Sequence, residues 1–170
     1  MRNILLVDGY NIICAWPELI ALKDKNLQES RDQLISIMAD YQGYTGYEVI
    51  VVFDAYAVKG IEKKLKNHKI EVIFTKAEET ADQRIEKLAI QLNKINTQVH
   101  VATSDFTEQW AVFGQGALRI SANELRTEIH SINKQIDQHI EAIKVDSPIT
   151  RIDFDPSTKN LLEKWRRGEM

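Results

Sequence analysis

Short apolar runs rich in β-branched residues alternate along this chain with longer stretches of helical period. The runs occupy residues 4–7, 49–53, 70–75 and 99–103. Continuous apolar runs of this length are typical of strands that are buried on both faces. Strands that alternate with helices form a parallel sheet with helices on each side. The sequence therefore predicts an α/β fold with a central, mostly parallel sheet flanked by helices.

Three polar pairs mark the beginnings of helices. In each pair, a Ser, Thr or Asn precedes a Glu or Gln by three residues, so that the two side chains can satisfy free N–H groups of the first turn. The pairs are Asn26 with Glu29, Thr80 with Gln83, and Ser121 with Glu124.

An apolar stripe of helical period follows each of the last two pairs. The stripe after Thr80 consists of Ile85, Leu88, Ala89, Leu92 and Ile95. The stripe after Ser121 consists of Leu125, Ile129, Ile132, Ile136, Ile140 and Ile143. We expect both stripes to face the core. The second helix is long and its outer face is strongly polar, so the alternative is that its far end projects beyond the sheet and meets a partner.

The length of 170 residues and the 44% hydrophobic content suit one domain with a sizeable core. The periodic pattern lapses over residues 146–155, near Pro148 and Pro156, and a short helical segment follows over residues 157–167. We therefore expect the main domain to cover residues 1–145. Residues 146–170 are expected to form a linker and a C-terminal helix docked on the same domain.

Charge and targeting signals place few limits on function. The formal net charge of −3 lacks the strongly basic character of many nucleic-acid-binding proteins, so any basic surface must be local. The chain shows no secretory leader and no apolar run of membrane-spanning length, so we expect a cytoplasmic protein with no membrane partner. The single cysteine, Cys14, cannot form an internal disulfide, and its apolar surroundings predict a small core residue.

Acidic residues terminate three of the predicted strands, and a fourth acid begins a helix. Asp8, Asp54 and Asp105 follow strands, and Asp82 lies in a first helical turn. The carboxyl ends of parallel strands meet at one edge of a sheet, so these side chains can converge there. Crowded carboxylates repel one another unless divalent cations neutralise them, and oxygen ligands favour Mg²⁺ or Mn²⁺. The pattern indicates metal-assisted hydrolysis of a phosphodiester, provided that the strand order brings the acids together.

Each acid also has a purely structural explanation. Asp8 and Gly9 can form a turn, Asp54 can end a strand, Asp82 can complement the helix dipole, and Asp105 can cap a helix with Glu108. Two other functions lack a required residue. A haloacid-dehalogenase-type phosphatase needs a second Asp where this chain has Tyr10, and the glycines 114 and 116 lack the third glycine of a dinucleotide-binding loop.

Four segments that contain these acids resemble the NYN branch of the PIN-like ribonucleases. They occur in the family order and read LLVDGYN over residues 5–11, VVFDA over 51–55, ETAD over 79–82 and ATSD over 102–105. Residues 110–118 and the ending EKWRRG over 163–168 are similar to the YacP-like bacterial subfamily. The resemblance covers nearly the whole chain and implies a PIN-like, three-layer fold with an acidic pocket for Mg²⁺ or Mn²⁺.

The resemblance also implies a role for each matching residue. Asp8 and Asp82 would be the principal metal ligands, and Asp105 and Asp54 would complete the site. Asn11 would orient a phosphate or a metal-bound water, although it can also cap the helix after the first strand. Ser104 would support the same pocket.

The YacP-like subfamily includes a ribosome-associated endoribonuclease that cleaves messenger RNA in the ribosomal A site. The resemblance therefore implies that this chain hydrolyses phosphodiester bonds of messenger RNA, with the ribosome as a partner. The alternative is a non-catalytic module with the same fold that binds RNA or the ribosome. The set of four acids argues against that alternative, because carboxylates near RNA phosphates would only weaken binding.

Lysines are concentrated just after Asp54. Residues 59–76 contain Lys59, Lys63, Lys64, Lys66, Lys69 and Lys76 against Glu62 and Glu71. Clustered lysines neutralise phosphates irrespective of base sequence, so Lys59, Lys63, Lys64 and Lys66 are candidate RNA-binding residues. A solvated helix face would give the same pattern.

Overall fold

Five parallel strands form a sheet in the part of the chain that the computed structural model describes, namely residues 1–55, 70–105, 114, 116–146, 164 and 166–168. The strands are β1 (Arg2–Asp8), β2 (Glu48–Phe53), β3 (Glu71–Phe74), β4 (Thr97–Ala102) and β5 (Leu118–Ile120), in the spatial order β3-β2-β1-β4-β5. The four predicted strands and the α/β class are confirmed. The order places β1 in the centre, with β2 and β4 as its hydrogen-bonded neighbours.

The helices of the described residues are α1 (Gly9–Ala15), α2 (Pro17–Lys25), α3 (Leu27–Thr45), α4 (Ala81–Leu92) and α5 (Ala122–Asp146). All three predicted helix starts are confirmed. Asn26 accepts hydrogen bonds from the first turn of α3. Thr80 with Gln83, and Ser121 with Glu124, form reciprocal capping boxes. Local side-chain chemistry therefore fixes where these helices begin.

Helices cover both faces of the sheet. Alternate residues of the central strands, among them Ile4 and Leu6, pack against Ile85 and Ala89 of α4. The intervening residues of β1, Leu5 and Val7, are fully buried on the opposite face, where α1 and α3 contact the sheet. Burial on both faces explains why the strands read as continuous apolar runs.

The chain divides into two compact units, residues 1–129 and residues 130–170. The first unit contains the sheet, α1 to α4 and the start of α5, where Leu125 is buried. The second contains the rest of α5, where Ile136, Ile140 and Ile143 are 36%, 45% and 55% exposed. The expectation of a core-facing stripe is wrong for these three residues, because periodicity identifies an apolar face without showing what covers it.

Two further expectations are corrected. Ile95 is 97% exposed because α4 ends at Leu92, before the predicted stripe is complete. Cys14 is exposed, 3.5 Å from the Nζ of Lys23, and is not a core residue.

No helix in the described ranges is long and apolar enough to cross a membrane. Because most of residues 146–170 lie outside the described ranges, the docked terminal helix and the boundary at residue 145 stay predictions.

Candidate active site

Asp8 is the last residue of the central strand and is only 6% exposed. It pairs in register with Val52 of β2, and the preceding Val7 pairs with Ala102 of β4. Asp8 therefore lies between the carboxyl ends of the two neighbouring strands. It occupies the N-cap position of α1, but its side chain makes no capping hydrogen bond. Helix capping does not explain the placement of a carboxylate at this buried position.

Gly9 allows the chain to pass unusually close to an aromatic ring. A Cβ atom at this position would lie 2.2 Å from Cε1 of Phe53. That ring packs between Tyr10 and Phe74, with centroid separations of 5.0 and 5.6 Å. Gly9 begins α1 and has no positive φ, so the Asp-Gly pair is not a turn. The glycine is required by the contact with Phe53, which holds Asp8 close to the end of β2.

Asp54 connects the end of β2 to the beginning of α4. Its Oδ1 accepts a hydrogen bond of 2.9 Å from the backbone N–H of Ala81. Asp82, the next residue, is exposed in the first turn of α4. This hydrogen bond holds the turn that carries Asp82 next to the end of β2. Because one oxygen of Asp54 accepts this backbone hydrogen bond, Asp54 also has the structural role of positioning Asp82.

Asn11 joins α1 to the loop that follows β4. Its Oδ1 accepts hydrogen bonds from both the backbone N–H and the hydroxyl of Ser104. Asn11 is the third residue of α1, so the alternative that it caps this helix is wrong. The backbone N–H of Ser104 can only donate, which fixes the orientation of the amide. Within the described part of the chain, the Nδ2 group of Asn11 donates to no residue.

Asp105 follows directly and is partly buried. Its backbone N–H donates a 3.0 Å hydrogen bond to the hydroxyl of Thr103, whose own N–H donates to the carbonyl of Ile120 in β5. The carboxyl end of β4 is therefore held from two sides, by α1 through Asn11 and by β5. The proposed capping partner of Asp105, Glu108, lies outside the described residues.

All four predicted acids lie at the carboxyl edge of the sheet or at the adjacent start of α4. Among the described residues, however, no group of three or more His, Cys, Asp or Glu side chains is arranged to hold a metal ion. Mg²⁺ is usually held by one or two carboxylates, with water and substrate phosphates completing its coordination. The oxygen donors at this edge fit a hard cation bound in that way. The candidate RNA-binding residues Lys59, Lys63, Lys64 and Lys66 lie outside the described ranges.

A buried arginine next to this edge was not predicted. Arg31 of α3 is 8% exposed, and its Nη1 donates a 3.1 Å hydrogen bond to the hydroxyl of Tyr10. Tyr10 is thereby fixed two residues after Asp8. Arg31 precedes the buried Leu34 and Ile35 by three and four positions, so it lies on the apolar stripe of α3. The sequence signal that could have identified Arg31 is the presence of a charged residue on the apolar stripe of a helix.

The family comparison covers the strands and loops that carry these residues. The model of the YacP-like NYN domain matches residues 5–167. This chain belongs to the YacP-like NYN family. The NYN domain gives the chain a nuclease-type fold, in agreement with its parallel α/β sheet.

Sequence similarity to relatives extends over almost the whole length of this YacP-like NYN protein. It is 58% identical over 168 residues to a Bacillus subtilis (strain 168) protein described as "Uncharacterized protein YacP", covering 99% of both chains. The crystal structure of Rae1 (YacP) from Bacillus subtilis matches with a TM-score of 0.76 and 58% identity, over 98% of this chain and 95% of that chain. A tryptophan-to-leucine mutant of Rae1 matches with the same TM-score and 51% identity, over 99% and 97%.

Proposed function

We propose that this YacP-like NYN protein is a divalent-metal-dependent endoribonuclease that hydrolyses messenger RNA in association with the translating ribosome. One observation carries the proposal. A buried carboxylate, Asp8, ends the central strand between the two strand ends that lead to Asp54 and Asp105. Acids at the carboxyl ends of neighbouring parallel strands can converge on one ligand, and carboxylate oxygens are the ligands that Mg²⁺ and Mn²⁺ favour.

Asp8 and Asp82 are the proposed principal ligands of Mg²⁺ or Mn²⁺, with Asp105 and Asp54 as the supporting acids. When bound, such an ion activates water and stabilises charge on the phosphate, so that no nucleophilic side chain is required. The chain itself holds these acids in place. Asp54 fixes the first turn of α4 through the N–H of Ala81, and this turn carries Asp82.

Asn11 is the proposed contact for the reacting phosphate. Its Oδ1 is engaged by Ser104, and the opposite side of the same amide presents N–H donors that no described residue accepts. An N–H donor near a phosphate oxygen stabilises the negative charge that increases during hydrolysis. Ser104 therefore acts as a positioning residue that orients Asn11.

The RNA substrate and the ribosome rest on the resemblance to the YacP-like subfamily and on the lysines beside Asp54. Lys59, Lys63, Lys64 and Lys66 are the proposed contacts to the RNA backbone, and a ribosomal role would place the protein in the cytoplasm. The non-catalytic alternative predicts RNA or ribosome binding without cleavage. The two proposals therefore differ in whether the protein cleaves the RNA that it binds.

The test is incubation of purified protein with RNA and Mg²⁺ or Mn²⁺, beside an EDTA control and an Asp8→Asn, Asp82→Asn double variant. We expect the wild type to produce internal cleavage products that EDTA and the double variant abolish. The same comparison is made in a translating extract, because a ribosome-associated enzyme can need the ribosome to present its substrate. Equal cleavage by wild type and double variant, or no cleavage by the wild type in either setting, would refute the proposal.

A further inference from the structure

A polar groove runs along one face of α4, beside the turn that carries Asp82. It encloses about 560 Å³ and is formed by the loop before the helix and by the helix surface. Its principal polar lining residues are Lys76, Glu79, Gln83, Arg84, Lys87 and Gln91. Apart from Ala77 and Leu88, all the residues that line the groove are polar or charged.

Glu79 holds two cations of this groove in fixed positions. Its carboxylate accepts hydrogen bonds from Nε and Nη2 of Arg84, the latter at 2.7 Å, and from Nζ of Lys87 at 3.1 Å. The hydrogen bond from Arg84, followed by that from Lys87, lowers the pKa of Glu79 to about 2 against an ordinary value of 4.5. Glu79 is therefore ionised at neutral pH, and the two cations are arranged before any ligand binds.

The network leaves positive charge and free donors in the groove. Three cationic residues, Lys76, Arg84 and Lys87, line it against two acids, Glu78 and Glu79. Within the described ranges, the Nη1 group of Arg84 donates to no residue. The side chain of Lys87 is 65% exposed, so its ammonium can also reach a ligand. Several N–H donors of fixed position in a positive groove are suited to the oxygens of a phosphate.

The groove lies at a suitable distance from the candidate active site. Lys87 follows Asp82 by five residues, which corresponds to about 7.5 Å along the helix axis. The two residues also differ by about 140° around the axis, so a nucleic-acid strand with one phosphate at Asp82 would have to cross the first turn of α4 to bring another phosphate to the groove. Gln83, which also lines the groove, is adjacent to Asp82 in the first turn.

We propose that this groove binds a backbone phosphate of the RNA on one side of the cleavage site, through Lys87, Lys76 and the Nη1 group of Arg84. This inference rests on the proposed nuclease function and adds a second point of contact with the substrate. Glu79 is a positioning residue in this scheme, because it orients Arg84 and Lys87 without contacting the anion. Contact with phosphate alone would hold RNA of any base sequence.

The test measures binding without cleavage. An Asp8→Asn background prevents hydrolysis, and short RNAs carry a neutral methylphosphonate in place of one phosphate at each position in turn. In this background, Lys87→Ala and Lys76→Ala are compared with Lys94→Ala, an exposed lysine beyond the end of α4. We expect Lys87→Ala and Lys76→Ala each to weaken binding about fivefold and to reduce the salt slope by about 0.7. Lys94→Ala is expected to have no such effect.

The decisive result is whether the binding loss caused by a lysine substitution depends on which phosphate of the RNA has been neutralised. At one methylphosphonate position, the loss caused by Lys87→Ala should disappear, because the phosphate that it contacts is already neutral. Binding by Lys87→Ala and Lys76→Ala that equals binding by Lys94→Ala at every position would overturn the proposal, even if the wild type cleaves RNA. If the effect of Lys87→Ala disappears at one methylphosphonate position but the wild type cleaves no RNA, phosphate binding in the groove is supported and only the nuclease function is refuted.

Discussion

Replacement of Gly9 by Ala tests how the first strand is joined to the site. The added Cβ would lie 2.2, 2.4 and 2.8 Å from three atoms of the Phe53 ring. Phe53 is fully buried and is enclosed by Tyr10 and Phe74, so it cannot rotate away freely. Overpacking of this severity costs about 3 kcal/mol. The better helix propensity of Ala offsets about 1 kcal/mol, which leaves a net destabilisation of about 2 kcal/mol.

Gly43→Ala is the matched control, because Gly43 is also helical and has no atom within 4 Å of the position of its missing Cβ. We expect this variant to be about 0.5–1 kcal/mol more stable than the wild type. Urea unfolding of the three proteins measures the free energy of unfolding and the m-value. A Gly9→Ala variant that is as stable as the wild type, with an unchanged m-value, would refute the close-contact explanation.

Three further predictions follow from individual contacts. Asn11→Ala and Ser104→Ala should each reduce the free energy of unfolding by about 1 kcal/mol. The double variant should lose less than the sum, and additive losses in chemical unfolding would contradict the shared hydrogen bonds. Because the folded-state pKa of Glu79 is lowered, its stabilising effect should be complete above pH 4.5 and should disappear as the pH falls towards about 2. A stability difference between the wild type and Glu79→Gln that does not diminish over this range would contradict the ion pairs. Ile140→Ser should change the free energy of unfolding by less than about 0.5 kcal/mol, whereas Leu125→Ala should cost about 2–5 kcal/mol. Equal losses would show that the exposed part of α5 is covered.

The sheet and the helix starts could be predicted because their signals are local. Apolar runs mark β1 to β4, and the capping pair Thr80 and Gln83 marks the beginning of α4. The edge strand β5 was missed, because its three residues, Leu118–Ile120, are partly exposed and include an arginine. A strand this short has no periodicity of its own and is defined by its pairing with β4.

The roles of residues within the site depended on contacts that are distant in sequence. A turn was one explanation offered for Asp8 and Gly9, but the requirement for glycine comes from Phe53, which lies at the end of β2. Asp54 was expected among the metal ligands, and its bond to Ala81 became visible only when the strand order was known. Asn11 likewise gained its partner, Ser104, from the pairing of β1 with β4. Such roles require the tertiary arrangement, because neighbouring residues alone do not specify them.

The central claim is that the carboxylate at the end of β1 is required for RNA hydrolysis. Its most direct test is the single-turnover rate of cleavage of one defined RNA in Mn²⁺ by the wild type, Asp8→Asn and Asp40→Asn. Asp40 is an exposed acid on α3 and serves as the control for the loss of one negative charge. We predict that Asp8→Asn lowers the rate by more than about 100-fold, while Asp40→Asn cleaves at the wild-type rate. Equal rates for Asp8→Asn and the wild type would contradict the claim.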